Sequence, residues 1–213
     1  MQHEDPASDS RMTLSAVLLT GGESHRMGVE KATIIFQGAP VWQRQISLLR
    51  ELQPQEIFIS ARSERPWRPA DTELVLDKTP ACGPLSGLVR ALERMQTSHV
   101  VVLAVDMPFM KSAHLEFLCS LAREGRGVLP MIGERAEPLA AVYPREALSD
   151  FSAALRSNQF SLQPLCRNLT RAGKLRVFQI SDEEKKFYRN VNEPTDLTIG
   201  GFGPARNSLP EFR

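Results

Sequence analysis

The stretch SHVVVLAVD, residues 98–106, places six consecutive apolar residues, Val100 to Val105, between a polar start and an aspartate. A strand with one wet face alternates apolar and polar side chains; this one does not. Both of its faces must therefore be covered, which is the pattern of a central strand in a parallel sheet with helices on each side. Shorter runs of the same kind recur at SAVLLT (15–20), EIFIS (56–60), ELVLD (73–77), GVLP (127–130), PLAAVY (138–143) and KLRVFQI (174–180), and each reads as a strand. Between several of them the apolar period becomes helical, at Trp42, Ile46 and Leu49, at Leu85, Leu88, Leu92 and Met95, at Leu115, Leu118 and Ala122, and at Leu148, Phe151 and Leu155. Strands alternating with helices predict parallel pairing through right-handed crossovers, and so a three-layer α/β/α architecture. EPLAAVYP follows GVLPMIGER after a turn too short for a crossover. One antiparallel strand in a mixed, mostly parallel sheet follows.

The chain has 213 residues, and no Pro/Gly/Ser-rich stretch divides it, so one domain over 14–198 is expected. Residues 1–13 and 199–213 lack apolar periodicity and read as flexible ends. Cys82, Cys119 and Cys166 are odd in number and have no CxxC or CxxH spacing, which suits free thiols in a reducing cytoplasm. No apolar run approaches the ~20 residues of a membrane span, and the N-terminal segment has no apolar signal core. With 26 basic and 25 acidic side chains the formal net charge is +1, so nucleic acid is not expected as a main partner. The basic run CRNLTRAGKLR (166–176) is either a solvated helix end and strand edge or a patch for a ligand phosphate.

Four further segments carry the candidate chemistry. LLTGGESHRMGVEK (18–31) follows a strand and combines Gly21, Gly22 and Gly28 with Arg26 and Lys31. Glycines there let the backbone present successive N–H groups to an anion, yet the spacing fits neither the Walker nor the GxGxxG pattern. An ordinary turn remains the alternative, and His25 beside it reads as a solvent-facing loop residue. Asp106 ends the most apolar strand, where it either holds a hard cation shared with phosphates or caps the next turn. LDKTPACGPLSGL (76–88) leaves a strand through Asp77 and enters a helix through Gly83 and Pro84. RNVNEPTDL (189–197) carries Asn190 and Asn192 on one side of an extended segment.

In order and spacing these pieces resemble the molybdenum cofactor guanylyltransferases, the MobA-type members of the nucleotidyltransferase superfamily, over roughly residues 14–198. Leu19-Thr20-Gly21-Gly22 matches the family's LAGG, Arg26-Met27-Gly28 and Glu30-Lys31 match its Arg-Met-Gly and Asp-Lys, Asp77 with GPLSG its Asp before Gly-Pro-Leu-x-Gly, DMP its Asp-x-Pro, and NVNEP its Asn-Val-Asn-x-Pro. Thr20 replaces the usual Ala and Glu30 the usual Asp. Ser60 stands where some members have an Asn that contacts the base.

The resemblance implies a Rossmann-like nucleotidyltransferase fold and transfer of GMP from GTP to the phosphate of molybdenum-molybdopterin, with Mg²⁺ as cofactor and pyrophosphate released. It implies Asp106 as the metal ligand, Arg26 and Lys31 as catalytic charges on the leaving pyrophosphate, and Leu19, Thr20, Gly21, Gly22, Lys31, Ser60, Asp77 and Asp106 as nucleotide contacts. Asn190 and Asn192 would line the acceptor end. Other cofactor-biosynthesis proteins or target molybdoenzymes are the implied partners. LTGG, rather than the LAAG that accompanies cytosine, implies guanine. The alternatives are a cytidylyltransferase, another guanylyltransferase acting on a different phosphorylated acceptor, and a non-catalytic nucleotide-binding regulator of the same fold.

Overall fold

The computed structural model describes residues 12–21, 30–77 and 82–191. Four parallel strands form one half of its main sheet: β1 (Leu14–Leu19), β4 (Glu56–Ala61), β5 (Glu73–Leu76) and β6 (His99–Ala104). The other half holds β7 (Gly127–Ile132), β8 (Arg135–Ala136), β9 (Val142–Pro144) and β10 (Leu175–Gln179). The order across the sheet is β10-β7-β9-β6-β1-β4-β5, with β8 paired to β7. β9 runs antiparallel between β6 and β7, and β8 is antiparallel to β7. The antiparallel insertion expected from the short turn is thus present. Of the expected 138–143 strand only Val142 and Tyr143 are regular, in a strand that runs on to Pro144, although the carbonyls of Leu139 and Ala141 still accept from the Ala104 and Val102 amides. A separate hairpin, β2 (Ile35–Phe36) with β3 (Ala39–Pro40), precedes the first helix.

The apolar runs alternate between two cores, one on each face. Ala16 and Leu18 of β1 and Val101 and Leu103 of β6 join the layer of α1 (Val41–Glu51) and α3 (Ser112–Leu121). Val17, Leu19, Val100 and Val102 join that of α2 (Pro84–Arg94), α4 (Leu148–Arg156) and α5 (Leu162–Arg171). β6 is buried throughout, as its unbroken apolar run requires. The stripe of α5, Leu162, Leu165, Cys166 and Leu169, has helical spacing and packs on this second face. It accounts for most of the basic run: Arg167 and Arg171 face solvent from α5, and Lys174 pairs with Asp150 of α4 at 2.6 Å. The solvated helix end is the reading that matches. All three cysteines are free and buried, and burial pushes the Cys119 thiol up to about 12.

β1 leads outward to β4 and β5, whereas β6 lies on its other side. The order in which strands join the sheet therefore switches sides between β1 and β6, the kind of place where open α/β sheets bind ligands beyond the carboxyl ends of their strands.

Candidate active site

Leu19 and Ala104 are register partners at the ends of β1 and β6, so Thr20-Gly21 and Val105-Asp106 leave the sheet side by side. The Val105 amide donates to the Leu19 carbonyl at 3.0 Å and holds them together. A cleft of about 100 Å³ opens there, lined among others by Thr20, Gly21, Lys31, Pro84, Asp106 and Leu139. Lys31 reaches it from the short 3-10 turn Lys31–Thr33 and places its Nζ 3.6 Å from Asp106 Oδ2, each side chain 22% exposed. Burial raises the Asp106 carboxyl above the usual carboxylate range, and the Lys31 charge offsets part of that rise. A half-buried carboxylate facing an ammonium across a cleft is the kind of group that marks a candidate functional site.

Two residues expected in the nucleotide grip, Ser60 and Thr20, are also bonded to each other. Ser60, at the end of β4, is 2% exposed and its side chain sits beneath Gly87 of α2. A Cβ on Gly87 would stand 2.0 Å from Ser60 Oγ, so the helix approaches the sheet here only because residue 87 has no side chain. Thr20 donates both its amide, at 3.0 Å, and its hydroxyl, at 2.8 Å, to the Ser60 carbonyl. The pair braces the turn from within: the Ser60 side chain is buried under α2, Thr20 lines the cleft with its amide and hydroxyl already bonded, and Gly21 follows it. Arg26, Gly22, His25, Gly28 and Asn192 lie outside the described residues.

Asp77 does face this edge. Its amide donates to the Ala61 carbonyl at 2.9 Å, and its Oδ2 lies where a Cβ on Gly21 would come within 3.1 Å. Its Oδ1 is buried and has no hydrogen-bond partner among the described residues. Burial raises the Asp77 carboxyl, against the opposing effects of a Ser86 hydrogen bond and the Arg62 charge. Gly83 begins α2 at φ +58° and ψ −147°, a conformation open in practice only to glycine, and turns Pro84 toward the cleft.

Some of the site has no local signature. Glu30 turns away from the cleft toward Arg65, at 3.3 Å, and Trp67, whose Nε1 donates at 3.4 Å. Trp67 in turn stacks on Trp42 of α1, ring centroids 5.0 Å apart. These contacts anchor the residue preceding Lys31. On the far side the Val191 amide donates to the Asp106 carbonyl at 2.8 Å, which sets Val191 beside Lys31 and Asp106; the preceding residue, Asn190, is exposed. Tyr188 anchors that segment through a 2.8 Å hydrogen bond between its hydroxyl and His114 Nε2 on α3.

A model of the MobA-like NTP transferase domain matches residues 16–173, nearly the whole of this architecture. The chain belongs to that family. Among similar proteins of this MobA-like kind is a probable molybdenum cofactor guanylyltransferase from Opitutus terrae, 35% identical over 192 residues, covering 89% of this chain and 95% of the relative. A probable molybdenum cofactor guanylyltransferase from Flavobacterium johnsoniae is 27% identical, covering 87% and 95%. Among solved structures, molybdopterin-guanine dinucleotide biosynthesis protein A from Archaeoglobus fulgidus superposes with a TM-score of 0.67 at 22% identity, over 87% of this chain and 95% of its own. That likeness confirms the fold expected for a MobA-like domain. Among the described residues of this member no helix is long and apolar enough to cross a membrane.

Proposed function

We propose that the protein transfers GMP from GTP to the phosphate of molybdenum-molybdopterin, forming the guanine dinucleotide cofactor and pyrophosphate. The observation that carries this reading is the Lys31–Asp106 pair, open to a cleft at the switch point of a MobA-like sheet. An oxygen of the acceptor phosphate attacks the α-phosphorus of GTP, the bond from α-phosphorus to the bridging oxygen breaks, and that oxygen leaves on pyrophosphate. A phosphate monoester has its second pKa near ~6, so the nucleophile is mostly ionised at neutral pH without a protein base. What remains is to align and neutralise several negative charges. Lys31 neutralises the departing phosphates, joined by Arg26 of the loop, and the backbone beyond Thr20 follows the phosphate chain.

Asp106 suits a divalent cation shared with substrate. No group of three or more His, Cys, Asp or Glu side chains converges to hold a metal by itself among the described residues, and a single carboxylate completed by phosphate oxygens and water is the mode Mg²⁺ favours. The cation would supply charge neutralisation across the triphosphate. Lys31 beside it favours the ionised form of Asp106 against the rise that burial causes, and the Val191 hydrogen bond fixes the Asp106 backbone. Across the sheet, Asp106, Gly21 and Asp77 stand at the ends of β6, β1 and β5, three strand spacings of ~4.8 Å in all. A nucleoside triphosphate lies along such a line with its base near Asp77 and its phosphates near Asp106, leaving Asn190 for the acceptor. The chemistry belongs in the cytoplasm, where GTP is available.

Incubating the protein with molybdenum-molybdopterin, Mg²⁺ and each nucleoside triphosphate in turn, and weighing the products, tests the reading. A guanine dinucleotide from GTP supports it. A cytosine dinucleotide, or no adduct, refutes it.

A further inference from the structure

On β1, β4 and β5 the side chains of Leu19, Phe58 and Val75 all enter the core shared with α2. Alternation along a strand then sends Gly21, Ser60, Arg62 and Asp77 to that same side. The β4–β5 register pairs Ser60 with Val75 and Ala61 with Leu76, so its next step sets Arg62 beside Asp77. The Asp77 amide bonded to the Ala61 carbonyl carries the ladder to that step, and the Arg62 charge acts on the Asp77 carboxyl. Ser60, two residues earlier on the same side, is closed off beneath Gly87. The last exposed side chain of β4's extension is therefore a guanidinium, next to a carboxylate whose Oδ1 is buried without a hydrogen-bond partner among the described residues.

We propose that Arg62 is the specificity-determining residue for the purine: its guanidinium donates to O6 and N7 of guanine while the adjacent Asp77 carboxylate accepts from N1 and the 2-amino group. The two side chains match the two neighbouring edges of this base. A planar guanidinium fits the O6/N7 pair in bidentate fashion, and a carboxylate offers two acceptors to two donors. Adenine presents an amino group where Arg62 needs an acceptor and a bare ring nitrogen where Asp77 needs a donor. Cytosine has no second ring to reach Arg62. Gly21 lets the Asp77 carboxylate approach the end of β1, since a Cβ there would stand 3.1 Å from Asp77 Oδ2. This deepens the guanylyl-transfer reading and rests on GTP being the donor nucleotide.

The test uses full-length protein and titrations with GTP, 7-deaza-GTP, which lacks the N7 acceptor, and ITP, which lacks the 2-amino group, alongside turnover with each. Wild type should prefer GTP to 7-deaza-GTP by about tenfold, the effect of one hydrogen bond from a charged donor. In Arg62→Met, which keeps the length but offers no donor, the preference should vanish while the penalty for ITP, read by Asp77, persists; Arg62→Lys should restore only part. If Arg62→Met weakens all three nucleotides equally, Arg62 binds phosphate and the proposal is overturned. An unchanged GTP to 7-deaza-GTP ratio overturns it as well. The binding pattern found without any guanylylated acceptor would uphold base reading by Arg62 and defeat the assigned acceptor instead. Equal binding of GTP and CTP by wild type would defeat both. Matching melting temperatures verify that the exposed substitution leaves the fold intact.

Discussion

Lys31 Nζ lies 3.6 Å from Asp106 Oδ2 across the cleft between β1 and β6. The two residues are far apart in the chain, and on the proposed reading their approach sets a cation for the leaving phosphates beside an anion for a metal. Asp106→Asn should lower turnover by about 10²-fold or more while the protein still melts cooperatively. Lys31→Ala should lower kcat more than it raises KM for GTP, because the charge matters most as pyrophosphate departs. Steady-state kinetics decide both; a pure KM effect would make Lys31 a uniform binder.

Burial raises both the Asp77 and the Asp106 carboxyls above the ordinary value of 3.8. The folded protein then binds these protons more tightly than the unfolded chain does. Their contribution to stability therefore falls as pH rises from about 3.8 through the raised values, and the penalty remains in full at higher pH. Asp77→Asn, which removes the buried charge but keeps an acceptor for Ser86, should melt above wild type at pH 7. Thermal scans should show the gap closing as pH falls toward 4. A lower melting point at neutral pH would contradict the sign.

The Gly87–Ser60 contact is closed to any larger residue at position 87. Gly87→Ala should cost about 1–3 kcal/mol through overpacking, read by urea unfolding. Ser60→Gly in the same chain should recover part of the loss, since it removes the side chain that clashes. Additive losses would mean that the two positions do not touch.

Tyr188 and His114 share a buried 2.8 Å hydrogen bond. Tyr188→Phe leaves His114 Nε2 without this partner and should cost about 1–2 kcal/mol, or a few degrees in Tm. The same segment delivers Val191 to the Asp106 carbonyl, so KM for the acceptor should rise more than KM for GTP. Kinetics with each substrate varied in turn separate the two.

Much of this molecule is legible locally. The unbroken run Val100–Val105 names a doubly covered strand, the stripes on α1 to α4 name their buried faces, and Gly83-Pro84 marks the start of α2, because these patterns depend on residues a few positions apart. The order of LTGG, Lys31, Asp77, Asp106 and Asn190 likewise points to one chemistry. β8 and the β2–β3 hairpin carry two-residue strands too short for any period to reveal. Ser60 was legible as a residue but not as a buried one, since its neighbour Gly87 comes from a helix in another part of the chain.

The sequence alone determined the layering, the family and the identity of the charged groups, through periodicity and motif order. Only the tertiary structure decided which groups meet. Arg62 stands beside Asp77 because β4 and β5 pair in one register out of several, Glu30 meets Trp67 through the β4–β5 connection, and Val191 closes on Asp106 after the chain has crossed the sheet. The physical reason is that strand register and crossover direction are set by the burial of whole faces at once. A contact between distant residues follows from that global choice, and no local spacing records it.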